Sequence, residues 1–327
     1  MTFNYEIAVA GCGYWGANLV RVFNQLGVLS LVCDPAEENL YRASQIAPGT
    51  KTTSSFSDAL ASSVDGIVIA APAVLHYSLA KQALEAGKDV FVEKPLALTY
   101  ANGRELVTLA SGLGRILMVG HVLEYHPGLT ALQTLARSGV LGDIRYLSST
   151  RVSLGKVRNE ENVLWSFAPH DIALILRMFK ARPTRIAASG GNFLRPNIAD
   201  LVQISLDFPN GVLAHIFVSW LNPTKEQRQV VVGSQKMAVY DDVTKELILH
   251  HKQINFDGDQ PVPIYGKGEI ISFPAGEPLL KECEAFLAAI AARKPPITDG
   301  ASGLRVLEVL EAAQASLDGG GAPVSLP

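Results

Sequence analysis

The sequence predicts an α/β protein: a doubly wound parallel sheet followed by an α+β domain with a large, mostly antiparallel open sheet. Three observations support this prediction. Short apolar runs alternate with helical segments through the first third of the chain, as in parallel βαβ units. A Gly-x-Gly-x-x-Gly pattern joins the first run to the first helical segment. Farther along, strand candidates lengthen and an Asn-Gly hairpin signal appears.

The first domain is predicted to span residues 1–122. Its strands are continuous apolar runs, which are typical of a parallel sheet covered on both faces. The predicted strands are Ile7–Ala10, Leu29–Cys33, Gly66–Ala71, Asp89–Val92 and Ile116–Val119. The helices predicted between them are Ala17–Leu26, Ala36–Ile46, Ser57–Ser62, His76–Ala86 and Tyr100–Ser111.

The second domain is predicted to span residues 123–327, with Asn210-Gly211 as a tight hairpin turn and Asp257–Gly276 as a loop. Its predicted strands are Ile144–Val152, Arg185–Gly190, Leu201–Phe208, Val212–Trp220, Gln229–Val232, Met237–Tyr240 and Glu246–His250. Its predicted helices are Leu129–Ser138, His170–Phe179, Pro278–Arg293 and Ser302–Leu317. Because these few helices leave part of an open sheet to cover, we expect a homo-oligomer, a dimer or tetramer, that pairs through this sheet.

The composition argues against several classes of protein. The 327 residues carry a formal net charge of −3, which gives no basic surface for nucleic acid or anionic membrane. No apolar run of membrane-spanning length and no signal-peptide pattern is present. The three cysteines form neither a CxxC pair nor an even framework, so we expect reduced thiols and a cytoplasmic location. No metal site is expected from the histidine spacing.

The glycine pattern indicates dinucleotide binding. Gly11 would make the tight turn, Gly13 would let a pyrophosphate approach the main chain, and Gly16 would let the following helix pack closely. The helix N-terminus near Tyr14 and Trp15 would then offer its unpaired N–H groups to the phosphates. A purely structural βαβ turn is the alternative interpretation.

Asp34 indicates which dinucleotide is preferred. It ends the second strand, 18 residues after Gly16, where a carboxylate binds the ribose hydroxyls of NAD. An NADP site usually has an arginine at this position, and the first arginine after Asp34 is Arg42. We therefore predict NAD as the cofactor, with NADP as the alternative.

Glu93-Lys94-Pro95 stands at the end of a predicted strand, where ligands of an open parallel sheet collect. Lys94 would face the nicotinamide, and burial beside that positive ring would lower the pKa of its ammonium towards the range useful for acid–base chemistry. A solvated surface lysine beside a strand-ending proline explains the triplet equally well.

The combination of these motifs resembles the glucose–fructose oxidoreductase/inositol dehydrogenase/rhizopine-catabolism (Gfo/Idh/MocA) superfamily of NAD(P)-dependent sugar dehydrogenases. The resemblance spans essentially the whole chain and includes Pro72 followed by His76, and Gly120-His121. It implies a Rossmann domain followed by an open-sheet substrate domain, with Lys94 beside the substrate and cofactor. It also implies a cofactor contact by His76, and we expect further cofactor contacts from Tyr14, Trp15, Pro72 and Glu93.

Pro169, His170 and Asp171 are predicted to begin a helix. A helix N-terminus disfavours imidazolium, so His170 would be neutral and able to accept a proton. The residues alone leave a capping role open for His170, and a helix-dipole role is as good an explanation for Asp171 as substrate binding. The resemblance implies that His170 is catalytic.

The segment before this helix resembles that of bacterial nucleotide-sugar 3-dehydrogenases within the superfamily. The predicted substrate-binding residues are Arg151, Arg158, Asn162, Trp165 and Asp171. Arg151, Lys156 and Arg158 would suit a diphosphate or carboxylate, although a charged loop balanced by acidic neighbours is an equal alternative.

The predicted activity is NAD-dependent oxidation of the C3 hydroxyl of a UDP-linked N-acetylhexosamine or its uronate, in bacterial polysaccharide or lipid A sugar biosynthesis. Lys94 or His170 would take the hydroxyl proton, and the sequence leaves open which one is the base. Three alternatives remain: a myo-inositol or free-sugar dehydrogenase, an NADPH-dependent keto-sugar reductase, and a catalytically silent NAD-binding regulatory or scaffold protein.

Overall fold

The computed structural model describes residues 4–155, 157–159 and 161–326. They form two compact units. The first unit contains the described residues up to Tyr125 together with Glu277–Leu307, and the second contains His126–Gly276 and the described residues from Glu308 onward. This division differs from the predicted one, because Glu277–Leu307 returns to the first unit. Within the described residues, no helix combines the length and apolar character needed to cross a bilayer.

The first unit is built on a six-stranded sheet in which all neighbouring strands are parallel. The strands are β1 Ile7–Ala10, β2 Leu29–Cys33, β3 Lys51–Thr53, β4 Gly66–Ile69, β5 Asp89–Glu93 and β6 Leu117–Gly120. The helices between them are α1 Gly16–Gln25, α2 Glu37–Ile46, α3 Phe56–Ala61, α4 Ala73–Glu85 and α5 Tyr100–Gly112. The order β3-β2-β1-β4-β5-β6 confirms the predicted doubly wound sheet, and its direction of winding reverses between β1 and β4.

A later helix, α8 Pro278–Ala292, completes the core of this unit. Phe286 of α8 packs edge-to-face on Phe91 of β5 with ring centroids 5.7 Å apart. Cys283, one turn earlier, is also fully buried in the same apolar cluster. The apolar stripe of α8 predicts that the helix is buried, but it does not identify the sheet on which the helix packs. The predicted domain boundary therefore placed α8 in the second unit.

The second unit contains a nine-stranded mixed sheet, in the order β14-β13-β12-β11-β7-β10-β9-β8-β15. Its strands are β7 Ile144–Leu154, β8 Arg185–Gly191, β9 Leu201–Asp207, β10 Leu213–Ser219, β11 Leu221–Gly233, β12 Met237–Asp241, β13 Glu246–Asp257, β14 Gln260–Ile270 and β15 Val324–Ser325. Its helices are α6 Pro127–Arg137, α7 Val163–Phe179 and the last turns of α9 Gly300–Asp318. Neighbouring strands are antiparallel except for the parallel pair β7 and β10, which confirms a mostly antiparallel sheet.

The turn between β9 and β10 has the predicted character. Asn210 and Gly211 both have positive φ, 63° and 74°, which the Asn-Gly pair tolerates. Two other predictions about this unit were wrong. The segment predicted as a loop contains strand β14, which pairs with β13, and helix α7 begins seven residues before the predicted start at His170.

Candidate functional site

The three glycines of the loop after β1 differ in the space available for a side chain. A Cβ on Gly11 would lie 2.7 Å from the Ala70 carbonyl, and Gly11 has a φ of 99°, which favours glycine. A Cβ on Gly16 would lie only 2.0 Å from the Gly11 carbonyl oxygen, so α1 can approach the loop only with glycine there. In the part of the chain that the structure describes, and apart from the two neighbours of Gly13 in sequence, no atom lies within 4 Å of its Cβ position, which leaves room for a phosphate beside the main chain. These are the three functions that the motif requires.

The two aromatic residues after Gly13 are both exposed, Tyr14 far more than Trp15. The Tyr14 side chain is 86% exposed and that of Trp15 is 38% exposed. Trp15 is the residue before α1, and its Nε1 donates a hydrogen bond to Oε1 of Glu93, at 2.6 Å. This bond connects the glycine loop to the end of β5, two strands away in the sheet.

Asp34 is held at the end of β2 by the chain around it. Its Oδ2 accepts the Cys12 main-chain N–H at 2.7 Å, and Oδ1 accepts the Ala36 N–H at 2.9 Å. The Asn39 amide donates to Oδ1 at 3.1 Å. The residue is 5% exposed. Asp34 therefore fixes the first turn of the glycine loop at the edge where a ribose would be bound.

Glu93 is a buried carboxyl at the end of β5. Besides Trp15, it accepts a 3.2 Å hydrogen bond from the Lys94 main-chain N–H. A Cβ on Gly120 would lie 2.7 Å from Oε2 of Glu93, so the glycine leaves the space that this side chain fills. Burial raises the pKa of Glu93 to about 7, although Trp15 and the charge of Lys94 oppose that rise.

A second buried acid near Glu93 was missed by the sequence reasoning. Glu282 of α8 is fully buried, and within the described chain neither of its carboxyl oxygens has a hydrogen-bond partner. Burial, followed by the charge of Glu93, raises its pKa well above the usual range. The signal was available, because Glu282 occupies an apolar stripe between Leu279 and Phe286.

Lys94 lies half-buried at the same edge of the sheet. His121 follows β6 and is 2% exposed, and burial together with the positive charge of Lys94 lowers its pKa to about 3. The ends of β5 and β6 therefore bring an ammonium group near a neutral imidazole. Lys94 follows the carboxyl end of β5, which is the predicted position.

Pro72 and His76 occupy the turn after β4. Pro72 is the residue before α4, and His76 lies in its first turns with only 1% of its surface exposed. The ring atom Nδ1 is 2.7 Å from the carbonyl oxygen of Pro95, and Nε2 is 2.8 Å from that of Ala71. His76 thus joins the loops after β4 and β5, and this burial does not support the predicted direct contact with the cofactor.

In the second unit, α7 positions most of the predicted substrate residues. Asn162 caps the helix, because its Oδ1 accepts the Trp165 N–H at 3.3 Å. His170 is therefore the eighth residue of the helix, with Pro169 also inside it. The prediction that His170 lies at a helix N-terminus was wrong, and the argument from the helix dipole does not apply to it.

Arg151 and Asp171 form a buried ion pair. Asp171 Oδ2 accepts from Arg151 Nε at 2.7 Å, and Oδ1 accepts from Arg151 Nη2 at 3.1 Å and from the Ser149 hydroxyl at 2.7 Å. Burial opposes the charge of Arg151, but Asp171 offsets this effect and the pKa of the guanidinium is raised. Asp171 is fully buried, so its carboxylate supports Arg151 rather than reaching substrate as predicted.

The other predicted substrate residues differ in their freedom to bind a ligand. Trp165 Nε1 and Asn162 Nδ2 both donate to Oε1 of Gln314 on α9, at 3.0 Å and 2.9 Å. Arg158 is exposed and lies 3.2 Å from Glu161. Lys156 lies outside the described residues.

The predicted catalytic pair is divided between the units, with Lys94 in the first and His170 in the second. Several of the predicted cofactor-binding residues of the first unit stand at strand ends or in the loop after β1: Gly11, Gly13, Gly16, Asp34, Glu93 and Lys94. Arg151 and Asp171 form a second set in the other unit. The joint action of Lys94 and His170 stays a prediction.

Comparisons with known proteins match both units. The NAD-binding Rossmann-fold domain of the GFO/IDH/MocA oxidoreductase family matches residues 5–121, and the GFO/IDH/MocA C-terminal domain matches residues 129–239. The chain is 29% identical over 303 residues to UDP-N-acetylglucosamine 3-dehydrogenase of Acidithiobacillus ferrooxidans, covering 91% of this chain and 93% of that protein. A solved structure of that enzyme, GnnA, aligns with a TM-score of 0.84 and 26% identity over 97% of this chain and 98% of GnnA.

Two further similarities have a narrower meaning. The myo-inositol dehydrogenase Hyg17 of Streptomyces leeuwenhoekii is 29% identical over 203 residues, which cover 60% of this chain and 62% of Hyg17. GenD2 from gentamicin A biosynthesis, solved in complex with NAD, aligns with a TM-score of 0.85 over 100% of this chain and 97% of GenD2. At 21% identity, that alignment shows a shared fold.

Proposed function

The chain belongs to the GFO/IDH/MocA oxidoreductase family, and from this premise we propose that it oxidises the C3 hydroxyl of a UDP-linked N-acetylhexosamine with NAD. The observation that carries the choice of substrate is the similarity to UDP-N-acetylglucosamine 3-dehydrogenase, which extends over 91% of the chain and thus includes both units. The similarity to the myo-inositol dehydrogenase covers 60% of the chain and supports that activity as the second candidate.

The first unit has the features that a nicotinamide dinucleotide requires. The open side of Gly13 admits a pyrophosphate, the exposed rings of Tyr14 and Trp15 offer apolar surface, and Asp34 stands where the adenosine ribose is bound. When bound, the nicotinamide supplies the acceptor for the hydride that leaves the sugar carbon. The residues of this chain have to orient the sugar and move the hydroxyl proton.

We propose that Lys94 and His170 act together on the proton of the C3 hydroxyl. One of them removes the proton of the C3 hydroxyl, and the other hydrogen-bonds to the oxygen and orients it. The position of Lys94 at a carboxyl strand end supports its share of this role, and family membership supports the share of His170. Lys94→Ala and His170→Ala should each lower kcat by about 100-fold or more, and the pH profile of the surviving activity identifies the base.

Arg158 is the better candidate of the two arginines for a diphosphate. Its contact with Glu161 is a surface pair, worth about 1 kcal/mol or less, so a phosphate can replace Glu161 at little cost. Arg151 cannot leave Asp171 without creating an unpaired buried charge, which costs about 3–5 kcal/mol. We therefore propose that Arg158 contacts the diphosphate and that Arg151 shapes the site while bound to Asp171.

The test is NADH formation with UDP-N-acetylglucosamine, its uronate, myo-inositol and free N-acetylglucosamine as parallel substrates. We expect NADH only with the nucleotide sugars, and Arg158→Ala should raise KM for them with little change in kcat. Arg185→Ala is a matched control, because Arg185 is also an exposed arginine of the second unit paired with an acid. Activity with myo-inositol alone would replace the proposed substrate, and no activity with any of these sugars would favour a silent NAD-binding protein.

Two features concern the oligomeric state and the cellular compartment of the enzyme. Tyr146 and Leu213 are paired neighbours on β7 and β10, and both are exposed on the sheet of the second unit. They support pairing of this sheet with a second copy, which sedimentation of the purified protein tests.

The three cysteines are buried free thiols, which supports a reducing compartment such as the cytoplasm.

A further inference from the structure

An arginine lies beside the ribose-binding end of the glycine loop, although it is eight residues from Asp34 in sequence. Nη1 of Arg42, on α2, donates to the Cys12 carbonyl oxygen at 3.1 Å. The same atom donates to Oδ1 of Asn39 at 3.1 Å. Asn39 and Arg42 are three positions apart and therefore lie on one face of α2.

Asp34 and Arg42 share both of these partners. The Cys12 N–H binds Asp34 while its carbonyl binds Arg42, and the Asn39 amide donates to Asp34 while its oxygen accepts from Arg42. The carboxylate and the guanidinium thus belong to one hydrogen-bonded cluster of four residues. The cluster includes Asp34, which follows β2 at the place where the 2′ and 3′ oxygens of an adenosine ribose are bound in such folds.

The charges of the two residues have opposite effects on a 2′-phosphate. The carboxylate of Asp34 repels it, but that charge is already shared among three N–H donors and is 5% exposed. Arg42 is exposed and carries five N–H donors in a planar fork. Both of its described hydrogen bonds come from Nη1, so within the described residues Nε and Nη2 keep donors for a ligand.

We propose that Arg42 is the residue that admits a 2′-phosphate, so that the site binds NADP as well as NAD. Asp34 sets the preference for NAD, and Arg42 limits how strong that preference is. The inference rests on the proposed cofactor role of the first unit. It deepens that role, because it assigns the choice between the two cofactors to a pair of oppositely charged residues rather than to Asp34 alone.

The same contacts allow a purely structural role, in which Arg42 only fixes the glycine loop through the Cys12 carbonyl. The two roles predict different results. A residue that fixes the loop affects NAD and NADP equally, since both share the pyrophosphate that the loop binds. A residue that contacts the 2′-phosphate changes the ratio of the two affinities.

The experiment measures binding without turnover, by calorimetric titration of the purified protein with NAD, NADP, 5′-AMP and 2′,5′-ADP. In the wild type we expect saturable binding of both dinucleotides, with NAD the tighter. Arg42→Ala should lower the ratio of NADP to NAD affinity by about tenfold or more, the loss expected for one charge-assisted hydrogen bond. The ratio of 2′,5′-ADP to 5′-AMP affinity should fall by a similar factor, and Arg42→Lys should retain part of it.

Arg104→Ala is the matched control, because Arg104 is an exposed arginine of the same unit on a different helix, and it should leave the ratio unchanged. An equal loss of NAD and NADP affinity in Arg42→Ala would overturn the proposal in favour of the structural role. Wild-type binding of NAD without detectable NADP would overturn it as well, and would leave the proposed dehydrogenase function intact. Failure to bind either dinucleotide would overturn both.

Discussion

The buried carboxyl of Glu93 should make the stability of the protein fall as the pH rises towards neutrality. Burial raises the pKa of Glu93 from the ordinary 4.5 to about 7 in the folded protein. Between these two values the folded state holds a proton that the unfolded state has released. The free energy of unfolding therefore decreases with rising pH across that window and levels off above it.

The size of the effect follows from the same pair of values. One pKa unit corresponds to about 1.4 kcal/mol, so the interval gives Glu93 a destabilising contribution of about 3 kcal/mol once it is ionised. Glu93→Gln removes the titration while keeping an oxygen that can accept from Trp15. The variant should therefore gain about 3 kcal/mol relative to the wild type as the pH is raised from about 5 to about 8.

The assay is urea unfolding of both proteins, without cofactor, at several pH values. The pH dependence of the difference is the readout, so a constant offset caused by the substitution cancels. Glu105→Gln is the control, because the hydrogen bond from Lys81 lowers the pKa of the exposed Glu105, so its contribution changes only below about pH 5 and its difference should be nearly flat between pH 5 and 8. A flat difference between pH 5 and 8 would show that Glu93 titrates normally, and the argument from burial would be wrong.

Three further predictions concern single residues of the two units. Asp171→Asn leaves Arg151 buried and unpaired, so urea unfolding should show a loss of about 3–5 kcal/mol, and a loss below about 1 kcal/mol would contradict the buried pair. Gly16→Ala places a methyl group against the Gly11 carbonyl, so it should cost about 3 kcal/mol or more and abolish NAD binding in a titration. His121, whose pKa is lowered to about 3, should show no imidazole titration by NMR between pH 5 and 8.

The sequence was sufficient where a local pattern reports a local structure. Central parallel strands such as β4 and β5 are buried on both faces, and their uninterrupted apolar runs predict them from the sequence. The edge strand β3 is a polar Lys-Thr-Thr segment and was not predicted. The same reason applies to β14, whose exposed residues, prolines and glycines resemble a loop until its pairing with β13 is known.

The candidate site divides in the same way. The crowding at Gly16 comes from Gly11, five positions away, so the spacing of the motif indicates it, whereas the atoms next to Gly11 belong to Ala70 and Ala71 after β4. The partners of His76 and Arg42 come from other loops, so their contacts depend on how the strands are ordered in the sheet. The predicted start of α7 is seven residues too late, because Pro169 matches a helix-start signal although it lies inside the helix and Asn162 supplies the cap.

The contacts of the glycine loop imply that its shape is fixed before the cofactor binds. Asp34 holds the Cys12 N–H, Arg42 holds the Cys12 carbonyl, and Glu93 holds the Trp15 ring nitrogen. The loop is thus attached to β2, α2 and β5, so little conformational entropy remains to be lost when a ligand arrives. Substitution of Glu93 should therefore weaken cofactor binding through the loosened loop as well as through any direct contact. It follows that the buried acid at the end of β5 connects cofactor affinity to pH, because protonation of Glu93 near neutrality weakens its hydrogen bond with Trp15.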